Sequence, residues 1–174
     1  AELKQLKRPI VSRELRPIVS EKPMSLWMID LVDFTKMGTE KLNNGYVYIM
    51  NVIDHFSKYA WSVPLKNKKA NVIAYQMQLI FMSEGTPDVI QTDNGGEFLK
   101  EFTQLCTRWG VEIRHSLPYH SQTNGLVERL NLTIRQTIFN HINDKKTKFW
   151  VDSLPQIIYN YNTTVHSTTG TTPF

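Results

Sequence analysis

A chain of 174 residues with 41% hydrophobic and 21% charged side chains is long enough for one domain with a buried core, too short for two, and too apolar to be mainly disordered. It has no run near the ~18 apolar residues of a membrane-spanning helix and no apolar secretory segment at its start, and a single cysteine, Cys106, cannot close an internal disulfide. The formal charge of +4 is uneven: residues 1–22 carry six basic and three acidic side chains, the remainder 14 and 13, so the folded body is not a generic polyanion-binding surface.

Residues 1–22 read as a basic extended arm or linker. Arg8-Pro9-Ile10-Val11-Ser12 recurs as Arg16-Pro17-Ile18-Val19-Ser20, and paired prolines beside β-branched residues favour extended backbone. Such an arm suits either a path along phosphates or a solvated tether. The domain is expected over 23–174. It opens with a strand from Leu26 to Phe34, apolar on both faces except for its carboxylates. After the turn signal Asn43-Asn44-Gly45, strands are expected over Tyr46–Ile53 and Lys58–Val63, with Asp54 ordering the connection between them. That makes a three-stranded meander.

A crossover helix follows over Ala70–Met82, ending at Gly85, and then a short strand, Asp88–Thr92, that runs into Asp93-Asn94-Gly95-Gly96. A helix is expected over Glu97–Trp109, with Glu97 suited to its positive N-terminal end and Gly110 stopping it. Val111–Arg114 reads as another strand and 116–123 as a loop. From Asn124 to about His141 the apolar positions Leu126 or Val127, Leu130, Ile134 and Ile138 recur at helical spacing, with Asn124, Glu128, Asn131 and Arg135 on a different face. A last helix is expected over Lys148–Tyr161, bent at Pro155. Strands first in a meander and then alternating with helices define a mixed α/β sheet flanked by helices.

Three carboxylates stand out chemically. Asp30 lies in an otherwise buried strand, where an unpaired charge is costly, so an Arg or Lys partner, a surface position or a cation must compensate it. Asp93 sits where a strand ends and Glu128 one turn into a helix. If the three converge they require cations, and hard divalent ions such as Mg²⁺ bound by carboxylates and phosphate oxygens serve in-line phosphoryl transfer. Gly95, Gly96 and Gly125 suit either simple turns or close approach of a ligand. Cys106 reads as core, the five histidines as structural or surface residues with His120 in the 116–123 loop, and Lys66-Asn67-Lys68-Lys69 as a solvated turn.

The segments Trp27-Met28-Ile29-Asp30, Thr92-Asp93-Asn94-Gly95-Gly96-Glu97-Phe98 and Pro118-Tyr119-His120-Ser121-Gln122-Thr123-Asn124-Gly125-Leu126-Val127-Glu128-Arg129-Leu130-Asn131 resemble the D,D(35)E core of retroviral and long-terminal-repeat retrotransposon integrases, nearest to gypsy-like elements. The resemblance covers nearly all of 23–174. It implies a ribonuclease H-like fold in which Asp30, Asp93 and Glu128 hold two Mg²⁺ ions, with Mn²⁺ able to substitute. The implied activity is that of a polynucleotidyl transferase: water cleaves near the 3′ end of element DNA, and the freed hydroxyl then attacks target DNA. It also implies DNA contacts by Asn94, Tyr119, Gln122, Asn124, Asn131 and Arg135, a homodimer or higher oligomer, and action in the nucleus. For these contacts the alternatives are loop solvation for Tyr119 and Gln122, helix capping for Asn124 and a solvated helix face for Arg135.

The sequence departs from the pattern twice. Thirty-four residues separate Asp93 from Glu128, one fewer than the pattern names, and the missing residue is expected before Pro118. One cysteine cannot supply the His-His-Cys-Cys zinc domain of full integrases, so an isolated core is expected. The competing readings are a ribonuclease H-like nuclease that uses water alone and a domesticated module that binds DNA or protein without catalysis.

Overall fold

The computed structural model describes residues 20–116 and 125–174. Five strands form one sheet: β1 (Leu26–Asp33), β2 (Tyr48–Asp54), β3 (Ala60–Leu65), β4 (Val89–Thr92) and β5 (Glu112–His115). Their order across the sheet is β3-β2-β1-β4-β5. The first three pair antiparallel, whereas β4 lies parallel to β1 and β5 parallel to β4. The meander is therefore present as expected, and the parallel half is built by crossover helices. Among the described residues four α-helices accompany the sheet: α1 (Ala70–Glu84), α2 (Glu101–Trp109), α3 (Gly125–Lys145) and α4 (Leu154–Thr163).

Strand side chains alternate between the two faces of a sheet, and each face carries its own core. Trp27 and Ile29 of β1 with Met50 and Val52 of β2 pack against Ile73, Met77 and Phe81 of α1 and Phe102, Leu105 and Cys106 of α2. On the opposite face Leu26, Met28 and Val32 with Ile49 and Ile53 meet Val127, Leu130, Ile134 and Ile138 of α3 and Leu154 and Ile157 of α4. The helical spacing read from the sequence thus corresponds to the buried stripe of α3. Cys106 is fully buried, and its burial pushes the thiol up to about 12, which leaves it a packing residue at neutral pH.

Two buried asparagines fasten the ends of the second core. Asn43 donates to the carbonyls of Thr39 and Lys148 and accepts from the backbone N–H groups of Trp150 and Val151, tying the loop after β1 to the approach to α4. Asn162 of α4 exchanges two 2.9 Å hydrogen bonds with the backbone of Ala60, supplying a buried strand end with the partner that a further strand would offer. Among the described residues no helix is long and apolar enough to cross a membrane.

Two helix expectations are corrected. Glu97 lies not in an α-helix but in a 3₁₀ turn, Gly96–Phe98; Leu99 is extended, Lys100 has φ 47°, and α2 begins at Glu101. The Glu97 charge is met instead by Lys68, 3.8 Å away. Nor is there a helix from Lys148 bent at Pro155. A 3₁₀ turn over Val151–Ser153 precedes α4, and Pro155 occupies the first turn of α4, where its missing N–H leaves no helical bond unmade. Asp54 orders the β2–β3 connection as expected: it accepts from the backbone N–H and hydroxyl of Ser57 and from the N–H of Met24.

Candidate active site

The alternation that builds two cores also aims Asp30. Leu26, Met28 and Val32 point toward α3, so Asp30, in the same even-numbered row, points there as well. Its carboxylate is doubly tied: Oδ1 accepts from the backbone N–H of Leu31 at 2.8 Å, and Oδ2 accepts from Nδ2 of Asn131 on α3 at 2.7 Å. No Arg or Lys forms an ion pair with it among the described residues.

Sheet register brings in the second carboxylate. The β1–β4 pairing places Met28 beside Gln91, and two further residues along the parallel pair lead to Asp30 and Asp93. Asp93 is exposed at the carboxyl end of β4. The third comes from α3, where Glu128 is one turn before Asn131 and so shares its face.

The electrostatics register this convergence. Burial is the largest influence on Asp30 and raises its pKa; the Leu31 N–H opposes, the Asp93 charge raises it, the Asn131 amide opposes, and the Glu128 charge raises it again. The balance moves Asp30 from 3.8 to about 6. As they stand, no three Asp, Glu, His or Cys side chains among the described residues are close enough to share a metal ion. The Asp93 and Glu128 charges act on Asp30 through their fields. The donors fit a hard divalent cation: they are all carboxylate oxygens, with no thiol or imidazole among them.

Gly95 sets the shape of the Asp93 end. Its N–H donates to Asp93 Oδ1 at 2.8 Å. Its φ of −62° is open to any residue, so its need for glycine is one of space: a Cβ would lie 2.9 Å from that same oxygen and 2.8 Å from the Glu97 carboxylate. Gly96 has nothing within 4 Å of the corresponding position. Gly95→Ala should therefore push the Asp93 carboxylate aside, whereas Gly96→Ala should leave it in place. Crystal structures of the two variants check this, and an unmoved Asp93 in Gly95→Ala would contradict it.

The remaining sequence-predicted residues fall into three groups. Asn131 contacts Asp30 directly. Asn94 donates to the Ser116 carbonyl at 3.0 Å, bracing the end of β4 against the residue before the 117–124 segment. Arg135 is exposed, with its guanidinium 5.9 Å from the Phe34 ring centroid. Tyr119, Gln122 and Asn124, together with His120 and residues 1–19 of the arm, lie outside the described residues. The other four histidines hold structural bonds: His55 with Ser20, His115 with Thr92, His141 with Ser153 and His166 with the Tyr161 carbonyl. Asp33 is bound to Thr35 through its N–H and hydroxyl rather than to the carboxylate cluster.

The sequence reading missed Asn51 of β2 and Ser62 of β3. Register aligns Asp30 with Asn51 and Asn51 with Ser62, forming a polar row across three strands beneath α3. A groove of about 760 Å³ beside α3 is lined by Lys58, Arg129, Thr133 and His166 among others and by none of the three carboxylates.

The sheet order, with carboxylates on adjacent parallel strands and on the helix crossing them, defines a ribonuclease H-like fold, and comparison with known proteins agrees. A family model described as the integrase core domain matches residues 20–121. The Gag-Pol polyprotein of feline leukemia virus is 34% identical over 145 residues, 82% of this chain and 8% of that polyprotein; the chain thus spans under a tenth of that relative. Among solved structures, the simian T-cell lymphotropic virus intasome in complex with PP2A regulatory subunit B56 gamma has a TM-score of 0.76 at 21% identity, covering 87% of this chain and 53% of that one. The HTLV-2 integrase catalytic core domain in complex with magnesium, in a trimeric form, has a TM-score of 0.67 at 23% identity, covering 87% and 94%. At those identities the structures establish the fold. The chain belongs to the integrase core domain family.

Proposed function

We propose that residues 23–174 form the catalytic core of a DNA integrase, a polynucleotidyl transferase that processes the 3′ ends of element DNA and joins them to target DNA. The observation that carries this reading is Asp30: a partly buried carboxylate with no cationic side chain among the described residues paired to it, raised in pKa by burial and by the charges of Asp93 and Glu128. Like charges on one face raise one another's cost of ionising, and a bound cation would relieve it.

Asp30, Asp93 and Glu128 would hold two Mg²⁺ ions, or Mn²⁺ in their place. When bound, such a pair makes an attacking water or hydroxyl a stronger nucleophile and stabilises the leaving oxygen of an in-line displacement. The chain's own residues orient the ligands: the Leu31 N–H and Asn131 hold Asp30, and the Gly95 N–H holds Asp93. Asn94, Tyr119, Gln122, Asn124, Asn131 and Arg135 would surround the DNA near this cluster. Arg135 serves as a phosphate contact from the exposed face of α3. The basic 1–22 arm adds charge that follows the backbone. The family resemblance supports a dimer or higher oligomer that acts in the nucleus; the description of one neighbour as a trimeric core and of another as part of an intasome supports the oligomer alone.

The deciding experiment is a DNA-joining assay on a branched substrate with wild type and the three single carboxylate variants. Joined product from wild type and none from Asp30→Asn, Asp93→Asn or Glu128→Gln is the expected result; cleavage by water with no joined product would favour a nuclease. Mg²⁺ or Mn²⁺ should support the reaction and Ca²⁺ should not, because the larger, looser coordination of Ca²⁺ serves binding better than in-line chemistry. Comparable rates with Ca²⁺ would contradict the two-ion scheme.

A further inference from the structure

Behind Asp30 runs a hydrogen-bonded chain whose direction is set by chemistry alone. An ionised carboxylate only accepts, so the amide nitrogen of Asn131 must face Asp30, as it does at 2.7 Å. The carbonyl oxygen of Asn131 then faces inward and needs a donor, which Asn51 Nδ2 provides at 2.7 Å. With its nitrogen so used, Asn51 presents its own oxygen to β3, and the Ser62 hydroxyl donates to it at 2.5 Å. Asn51 is wholly buried in a strand, Tyr-Ile-Met-Asn-Val-Ile-Asp, where its neighbours are apolar. A buried amide in such a row specifies geometry, because each of its groups must find a partner.

We propose that Asn51, braced by Ser62, is a positioning residue of the active site: it locks the Asn131 amide so that its N–H faces Asp30, and thereby fixes which Asp30 oxygens face Asp93 and Glu128. With its oxygen held by Asn51, Asn131 serves Asp30 first and offers DNA at most its remaining N–H. Asn131 alone, flexible on a partly exposed helix face, could turn its oxygen toward Asp30 and repel it; with the chain from β3 in place that turn requires Asn51 and Ser62 to reverse with it. The inference rests on the reading of Asp30 as a catalytic residue.

The test is a double-mutant cycle in the branched-DNA assay. Asn51→Val and Asn131→Ala should each lower kcat by about tenfold, the order expected for losing one hydrogen bond to a charged group, with KM for DNA within about twofold of wild type. The double variant should lose no more than Asn131→Ala alone, because both act through one contact. A multiplicative loss of about a hundredfold in the double variant, or a wild-type rate in Asn51→Val, would overturn the proposal. Ser62→Ala removes only the outer brace and should lower kcat by about threefold, which keeps the test alive if Asn51→Val does not fold. A second readout needs no catalysis: the Asn131 side-chain amide protons should exchange slowly in wild type by NMR and quickly in Ser62→Ala. Equal exchange in the two would sink the lock, whereas a wild type that joins no DNA while keeping the protected amide would sink the functional reading and leave the lock standing.

Discussion

Glu128→Gln should lower DNA joining by about a thousandfold or more and change the melting temperature by no more than about 2 °C. The first expectation follows from the role proposed for the residue: loss of one of three carboxylates proposed to hold the metal would remove transition-state charge stabilisation of several kcal/mol, at about 1.4 kcal/mol per tenfold in rate. The second follows from its place. Glu128 is exposed in the first turn of α3 and packs into neither core. Glutamine keeps its length and helix propensity. Two small charge effects oppose each other in the metal-free protein: an acidic group near a helix N-terminus contributes about 0.3–1 kcal/mol, whereas this one also raises the cost of ionising Asp30. A branched-DNA turnover assay and a thermal melt on the same preparation measure both quantities. An active variant would remove Glu128 from the chemistry, and a collapsed melting curve would make it structural.

Much of this site follows from periodicity. Asp30 stands in the row of β1 that faces α3, and the apolar repeat of Val127, Leu130, Ile134 and Ile138 fixes which side of α3 faces the sheet, so Glu128 and Asn131 emerge at its edge. The strand-helix-strand pattern from Lys58 to Thr92 makes β4 a parallel neighbour of the meander, which brings Asp93 to Asp30. Asn51 was harder to find. Its partner depends on the register between β1 and β2, and the link between those strands is a long loop with its own 3₁₀ turn at Thr35–Met37, so no two-residue hairpin sets the count. The Glu97 error has a similar origin: an acidic residue after two glycines resembles a helix start, but the backbone at Lys100, at φ 47°, resets the chain before α2. Pro155 was misplaced because apolar spacing from Lys148 onward cannot separate a 3₁₀ turn from the first turn of a helix.

Asp30→Asn should abolish DNA joining and yet make the metal-free protein more stable at neutral pH. The sign follows from the direction of the shift. The folded-state pKa of Asp30, about 6, lies above its ordinary value of 3.8, so the fold favours the neutral carboxyl. That preference is fully present below pH ~4, is lost as pH rises from about 4 through 6, and leaves a constant penalty above. The full difference corresponds to about 3 kcal/mol, and on the order of 2 kcal/mol after allowance for the part of the side chain that water reaches. Asparagine carries no such penalty and keeps the bond from the Leu31 N–H. Its new amide needs an acceptor, which the chain behind it can supply: Asn131 and Asn51 turn over, and the Ser62 hydroxyl, able to accept as well as donate, absorbs the reversal. At ~2–4 °C per kcal/mol for a chain of this size, the variant should melt about 4–8 °C higher than wild type at pH 7.5 in EDTA, with the gap closing toward pH 4. Millimolar Mg²⁺ should raise the melting temperature of wild type but not of the variant, because a ligand that binds only the folded state stabilises it in proportion to its occupancy. A variant less stable than wild type at every pH would mean that Asp30 is paid for within the protein, and the case for a cation at this face would lose its physical basis.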